Sequence, residues 1–388
     1  MKKIFTVAVT LTALIITGLT PAYANNSDDY KLPDAAAFIL MEAETGQILR
    51  SHNENQQLPM SSLAKIMTLL LIGEELQSGR ISLTDDVPAS MNAHKATGSV
   101  IWLNAGEVMK LDELLKSVVI SSSNDATIAL AEYVSGSTEA FTERMNQRAA
   151  ELNLQETFFA DCGGFDERSL STASDIALMT AELFKLSGFG EIFGQHFTTR
   201  LSAVRAGTER ETQLLNTNKL AHSYQGSIGG KAGQSAAAGF CIAHCAIRDG
   251  MKLIAVVLGA VGEDERVEIG KHVLSDGFRD FEFVTPTPDS ENFSPVKVER
   301  GVTKTLDTAI AAPLSFVAPK GSGKNAKYIY TVPDSLAAPI PKGGSIGKVA
   351  VELDGVVVAE YDIVALYEVE ELTFAKALEI MLEKFFRF

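Results

Sequence analysis

The chain has little of what marks a metalloenzyme, a nucleic-acid binder or a disulfide-stapled secreted domain. Its 388 residues include three cysteines, Cys162, Cys241 and Cys245. A number so small and odd excludes a disulfide framework. Cys241 and Cys245 fall four apart in a strand pattern, roughly 13 Å from each other and too far to bridge, so the cysteines read as small buried hydrophobes. His-Glu-x-x-His is missing, and the six histidines, His52, His94, His196, His222, His244 and His272, stand without ligand spacing; no metal and no other cofactor is expected. Basic charge is scarce too. With 34 Lys and Arg against 49 Asp and Glu the net charge is −15, a balance that repels nucleic acid.

A long uninterrupted apolar run sits at the start. Lys2 and Lys3 precede Ile4 to Leu19, and Ala22-Tyr23-Ala24 follows with small residues at the recognition positions. This predicts a secretory signal over residues 1–24, cut after Ala24, too short and wrongly flanked for a permanent membrane span. The mature protein is then exported, with 32 basic residues against 49 acidic ones and a net charge of −17.

Residues 25–285 read as one catalytic domain of α+β class. Ala36 to Arg50 predicts a hairpin turning at Glu44-Thr45-Gly46-Gln47. Apolar spacing of three and four from Leu111 to Val134 and from Ser174 to Leu186 predicts helices. The period then changes to two, and Phe240–Ile247 and Met251–Leu258 predict strands joined at Asp249-Gly250. Strands from both ends with helices between them make an α+β arrangement. Turn residues at Pro286-Thr287-Pro288-Asp289-Ser290 mark a boundary, beyond which short strands interrupted by Pro and Gly predict a small all-β, sandwich-like module over residues 286–369. Residues 370–388 predict an amphipathic helix. Its stripe of Phe374, Leu378, Met381, Leu382, Phe385, Phe386 and Phe388 suits a membrane interface.

Chemistry enters with three short motifs in order. Ser62-Leu63-Ala64-Lys65 precedes a helix pattern that is apolar on nearly every face; Ser122-Ser123-Asn124 and Lys231-Ala232-Gly233 follow. Each alone is weak, since Ser294–Lys297 is another Ser-x-x-Lys, and Ser-x-Asn recurs at Ser51, Ser90 and Ser290. Together they supply an acyl-transfer set. Lys65, one turn from Ser62, can take its proton if its own pKa is lowered by burial or by a second cation such as Lys231. Ser122 can relay a proton to the leaving amine, and Asn124 can hold a substrate amide and orient Lys65. With Ser62 at a helix start, its N–H and that of Gln234 are candidate oxyanion donors. Gly229, Gly230 and Gly233 leave the strand edge bare enough for a ligand backbone to lie against.

The trio, together with its flanks Pro59-Met60-Ser61-Ser62, Ser121-Ser122-Ser123-Asn124-Asp125-Ala126 and Gly226-Ser227-Ile228-Gly229-Gly230-Lys231, resembles the low-molecular-mass penicillin-binding proteins. More closely it resembles the serine-type D-alanyl-D-alanine carboxypeptidases. The resemblance covers nearly all of the mature chain and implies a β-lactamase/transpeptidase-like catalytic fold. It implies removal of the terminal D-alanine from peptidoglycan pentapeptide stems, acylation by β-lactam antibiotics, and work at the outer face of the bacterial cytoplasmic membrane, held peripherally by the terminal helix. Carried over residue by residue, Ser62 is the acylated serine, Lys65 its base, Ser122 and Asn124 the second motif, and Lys231, Ala232, Gly233 and Gln234 the substrate-binding strand. Lys252 matches a basic position that the family often fills with arginine for the substrate carboxylate. Two departures stand out. Ala232 replaces the usual threonine of Lys-Thr-Gly, at roughly 1–3 kcal/mol of lost hydrogen bonding, and Ala64 stands where threonine is common. A β-lactamase is one alternative, although about 100 residues follow Thr285; a weakened relative that only binds peptidoglycan is the other.

Overall fold

The computed structural model describes residues 35–186, 200–205, 208–286 and 292–386. The expected signal segment lies outside the described residues. In chain order the elements that frame the site are β1 (Ala37–Glu42), β2 (Ile48–His52), α1 (Lys65–Gln77), α2 (Leu111–Ile120), α3 (Asn124–Ser135), α4 (Thr138–Glu151) and α5 (Ala173–Lys185). Then come β3 (Ser227–Ser235), β4 (Gly239–Arg248), β5 (Met251–Ala260) and α6 (Glu263–Asp280).

The five strands make one antiparallel sheet in the order β2-β1-β5-β4-β3. Strands from both ends of the segment therefore meet at its centre. Asp249 and Gly250, at φ +49° and +81°, form the tight turn between β4 and β5, the backbone that an Asp-Gly step favours. The sheet is buried on both faces. Along β1, Ile39 and Met41 enter the core shared with α1, α2, α3 and α5, while Phe38 and Leu40 enter a second core under α6 with Val267, Ile269, Val273 and Leu274. That alternation follows from the two-residue period of a strand. Gly277 lets α6 approach closely, because a Cβ there would stand 2.6 Å from Leu40 and 2.7 Å from Leu253. Helix ends follow local rules: Ser137 and Thr172 accept the Ala140 and Asp175 amides at 3.1 and 3.0 Å, and Gly136 ends α3 in the left-handed region at φ +83°.

The C-terminal module is all β, as expected. Its strands include β6 (Phe281–Val284), β7 (Thr308–Ile310), β8 (Phe316–Pro319), β9 (Lys327–Thr331), β10 (Ser345–Leu353) and β11 (Val356–Ala365). A four-stranded sheet runs β7-β11-β10-β9 over a third core that includes Leu306, Phe316, Val349, Val351 and Ile363. The junction is more intimate than a linker implies. β6 ends before residue 285 yet pairs with β8 beyond it. Gln47, in the turn after β1, donates to the Val317 carbonyl at 3.2 Å and accepts the Val317 amide at 2.9 Å, and the Val317 side chain sits in the core under α6.

The last helix, α7 (Phe374–Phe386), contributes no residue to the three cores, and Phe374, Met381, Phe385 and Phe386 are exposed. Among the described residues no helix is long and apolar enough to cross a membrane.

Gln47→Ala removes both partners of a buried peptide group and is expected to cost about 1–3 kcal/mol. Urea denaturation of the mature chain measures it, and an unmoved midpoint would show that the carboxamide does not join the modules.

Candidate active site

The nucleophile's turn departs from the sequence expectation. Residues Ser61–Ala64 form a 3-10 turn and the α-helix starts at Lys65, so Ser62 precedes α1 instead of opening it. In a 3-10 turn residues three apart eclipse one another, and Lys65 Nζ lies 3.1 Å from Ser62 Oγ. Met60, Leu63 and Ala64 anchor the turn in the core, while Ser62 itself is half-buried. The Lys65 amine is fully buried, reaches the Gly163 carbonyl at 3.0 Å and lies 4.9 Å from the centre of the Phe165 ring.

Burial is the main reason that the Lys65 pKa falls to about 8. The second cation expected to influence it, Lys231, does interact with Lys65, and repulsion between two cations disfavours charge on both. Lys231 is buried without a hydrogen-bond partner among the described residues, and its pKa is driven well below the ordinary value by burial first, then by the charges of Lys65 and Arg266. Burial and the neighbouring cations thus both disfavour charge on Lys231.

Ser122 comes from the link between α2 and α3, and Asn124 opens α3. Ser122 has φ +59°, a left-handed backbone unusual for serine, and its buried Oγ has no hydrogen-bond partner among the described residues. Strain and an unmet hydroxyl at one residue are features of a site held for a ligand. Asn124 also borders the cleft, but its Nδ2 donates to the Thr97 carbonyl at 2.7 Å. Lys65 is thus oriented by Gly163, and the role expected of Asn124 in holding it finds no contact.

The opposite wall is the free edge of β3. Gly233 passes so near the nucleophile that a Cβ would stand 2.9 Å from the Ser62 nitrogen; no other residue fits. The Gln234 carbonyl accepts the Ser61 hydroxyl at 2.9 Å, which puts the Gln234 peptide on the outer edge. A strand residue's N–H and C=O point to the same side, so the Gln234 N–H faces the cleft beside Ser62. Ala232 borders the cleft as well, with its methyl packed in the core under α6.

Lys252 is the clear misplacement. It pairs across the sheet with Ile247, next to the β4–β5 turn, and its Nζ faces Glu44 at 3.6 Å. That end of the sheet is remote from Gly233, and Lys252 does not border the cleft. Lys95 and Arg266 do, both missed by sequence reasoning, and the buried one is Arg266 on α6. Its guanidinium donates to the Gly233 carbonyl at 3.0 Å and meets Glu263 at 3.3 Å. One signal was available: a cation in the first turn of a helix opposes the helix dipole and calls for another reason to be there. The chain also carries a Gly-x-Ser-x-Gly pattern, Gly343-Gly344-Ser345-Ile346-Gly347. It enters β10 of the C-terminal module, not a strand-to-helix elbow, and Ser345 donates to Asp362 at 3.1 Å.

These groups enclose a cleft of about 780 Å³ with Ser62 on its floor. A hydroxyl beside an amine of lowered pKa, two backbone amides near the same point, and a buried guanidinium at one side can support nucleophilic acyl transfer to a substrate bearing a carboxylate. Gly164 closes one wall at φ +70°, and a Cβ there would overlap the Ser61 carbonyl oxygen at 1.9 Å. Gly164→Ala is expected to destabilise the fold by roughly 1–3 kcal/mol, read as a lower Tm; an unchanged Tm would mean that the turn yields freely.

Comparison with known proteins places the chain in a family. A family model described as D-alanyl-D-alanine carboxypeptidase matches residues 25–262, and one for the C-terminal domain of penicillin-binding protein 5 matches residues 281–371. The chain is 35% identical to D-alanyl-D-alanine carboxypeptidase DacF of Bacillus subtilis, over 89% of this chain and 88% of that one. It is 34% identical to DacC of Escherichia coli, over 87% and 85%. The crystal structure of penicillin binding protein 5 from Haemophilus influenzae superposes with a TM-score of 0.78 at 28% identity, covering 88% of this chain and 99% of that one. The chain therefore belongs to the peptidase S11 family of serine D-alanyl-D-alanine carboxypeptidases.

Proposed function

We propose that this protein removes the terminal D-alanine from peptidoglycan pentapeptide stems through an acyl-enzyme on Ser62, and that β-lactams acylate the same hydroxyl. The observation that carries this is the 3.1 Å contact between Ser62 Oγ and a buried Lys65 amine whose pKa lies at about 8. In acylation the unprotonated Lys65 takes the Ser62 proton as Oγ attacks the carbonyl of the penultimate D-alanine. The amides of Ser62 and Gln234 receive the oxyanion. The departing D-alanine nitrogen gains a proton by way of the Ser122 hydroxyl, which bonds to no group among the described residues and so can bridge. Water then cleaves the ester.

Arg266 takes the place proposed from sequence for Lys252 as the anchor of the substrate's terminal carboxylate. It reaches the Gly233 carbonyl next to Ala232, so the guanidinium supplies charge where the hydroxyl of Lys-Thr-Gly is missing. Asn124 and the β3 edge align the peptide backbone. In this reading residues 25–285 catalyse, residues 286–369 form a stalk, and the exposed apolar side of α7 rests on the outer face of the cytoplasmic membrane of an exported protein.

Incubating the mature protein with a pentapeptide stem is expected to release D-alanine, and mass spectrometry after penicillin treatment to place one adduct on the peptide containing Ser62. Ser62→Ala should lose both. No release, or an adduct elsewhere, would sink the assignment. Acylation should also depend on pH in a defined direction. Because Lys65 acts unprotonated, the second-order acylation rate rises as pH climbs through about 8 and stands about a hundredfold below its plateau at roughly two pH units lower. A rate flat across that range would contradict the role of Lys65.

A further inference from the structure

The turn from Asp161 to Asp166 follows α4 and forms the wall of the cleft beside Ser62. One carboxylate organises it. Asp161 Oδ1 accepts the amides of Gly163 at 2.7 Å, Gly164 at 2.6 Å and Phe165 at 3.1 Å, and its Oδ2 accepts the Asp166 amide at 2.6 Å. Charge-assisted bonds to four successive donors fix a backbone more firmly than neutral ones. The turn is pinned to the nucleophile's helix as well: Thr68 donates to the Cys162 carbonyl at 2.5 Å, and Gly164 lies against the Ser61 carbonyl. The outcome is a carbonyl and a ring aimed at one amine, with the Gly163 oxygen 3.0 Å from Lys65 Nζ and the Phe165 ring 4.9 Å from it.

We propose that Asp161 is a positioning residue for the acylation step: its carboxylate shapes the turn that holds the Lys65 amine against Ser62 through the Gly163 carbonyl. This rests on the reading of Lys65 as the base. Asp161 touches neither nucleophile nor substrate and acts through the peptide groups it gathers. It also contributes charge. The titratable and charged groups around Lys65 are Asp161 and Cys162 from the turn and Lys231 from β3. The Asp161 carboxylate raises the Lys65 pKa against the effect of burial, whereas burial pushes the Cys162 thiol up to about 12 and keeps it neutral at working pH.

Two substitutions separate geometry from charge. Asp161→Asn keeps an oxygen for the Gly163, Gly164 and Phe165 amides and loses the acceptor for Asp166 together with the charge. Asp161→Ala leaves all four amides without their acceptor. The experiment measures acylation of the mature chain by a fluorescent penicillin as a function of pH, with Tm recorded for each variant and Lys65→Ala as control. Asp161→Asn should remain folded and shift the midpoint of the pH profile downward by about 0.5 pH unit or more. Asp161→Ala should acylate at least tenfold more slowly at neutral pH, with Asp161→Asn restoring most of that loss. A profile for Asp161→Asn that superposes on the native one overturns the proposal, as does a folded Asp161→Ala that acylates within threefold of native. If Asp161→Ala does not fold, the Asp161→Asn profile alone decides. A Lys65→Ala protein that acylates at the native rate overturns the base assignment and this inference with it; an inactive Lys65→Ala beside an unmoved Asp161→Asn overturns this inference alone.

Discussion

The structure depends on keeping an amine in a space without water. Lys65 sits wholly inside the protein, and burial there weakens the amine's hold on its proton, bringing its pKa down to about 8. The apolar wrapping of α1, the pressing of β3 against the serine turn, and the gathered turn at Asp161 all maintain that space. Removing water lowers the amine's proton affinity, and the 3-10 turn puts a hydroxyl within its reach. A residue that costs stability in any ordinary core becomes the reactive element here. Lys231 is a second buried amine, with no hydrogen-bond partner among the described residues, and burial lowers its pKa too.

Much of the architecture was legible because it is dictated locally. The apolar run of Ala36 to Met41 ahead of the turn at Glu44-Thr45-Gly46-Gln47, the Asp-Gly step at 249–250 and the three-four spacing of Leu111 to Ile120 each specify an element without reference to the rest of the chain. The nucleophile, its neighbouring lysine and the Ser122 and Lys231 motifs were legible for a similar reason. Their chemistry requires short fixed spacings that survive as text.

What escaped the sequence is what depends on tertiary approach. Arg266 reaches the cleft only because α6 packs beneath the sheet and its first turn rises past the edge of β3. No spacing from Lys231 foretells that, and Lys252, a strand cation at a plausible distance along the chain, was the natural mistake. The tighter geometry of the serine turn was hidden too, since the apolar pattern runs continuously from Leu63 into α1 and does not mark where one helical form gives way to the other. Nor could the four-amide role of Asp161 be read from a short polar residue among glycines.

The join between the two modules has a mechanical consequence. Val317 belongs to the C-terminal module by strand pairing and to the catalytic segment by packing, and Gln47 clasps its peptide group from the hairpin that borders the central sheet. A hinge would let each part tumble separately; a shared strand and a shared core transmit torque. Whatever surface steadies the far end of the molecule thereby also sets the direction in which the mouth of the catalytic cleft points, and with it the layer of surrounding polymer that the enzyme can reach.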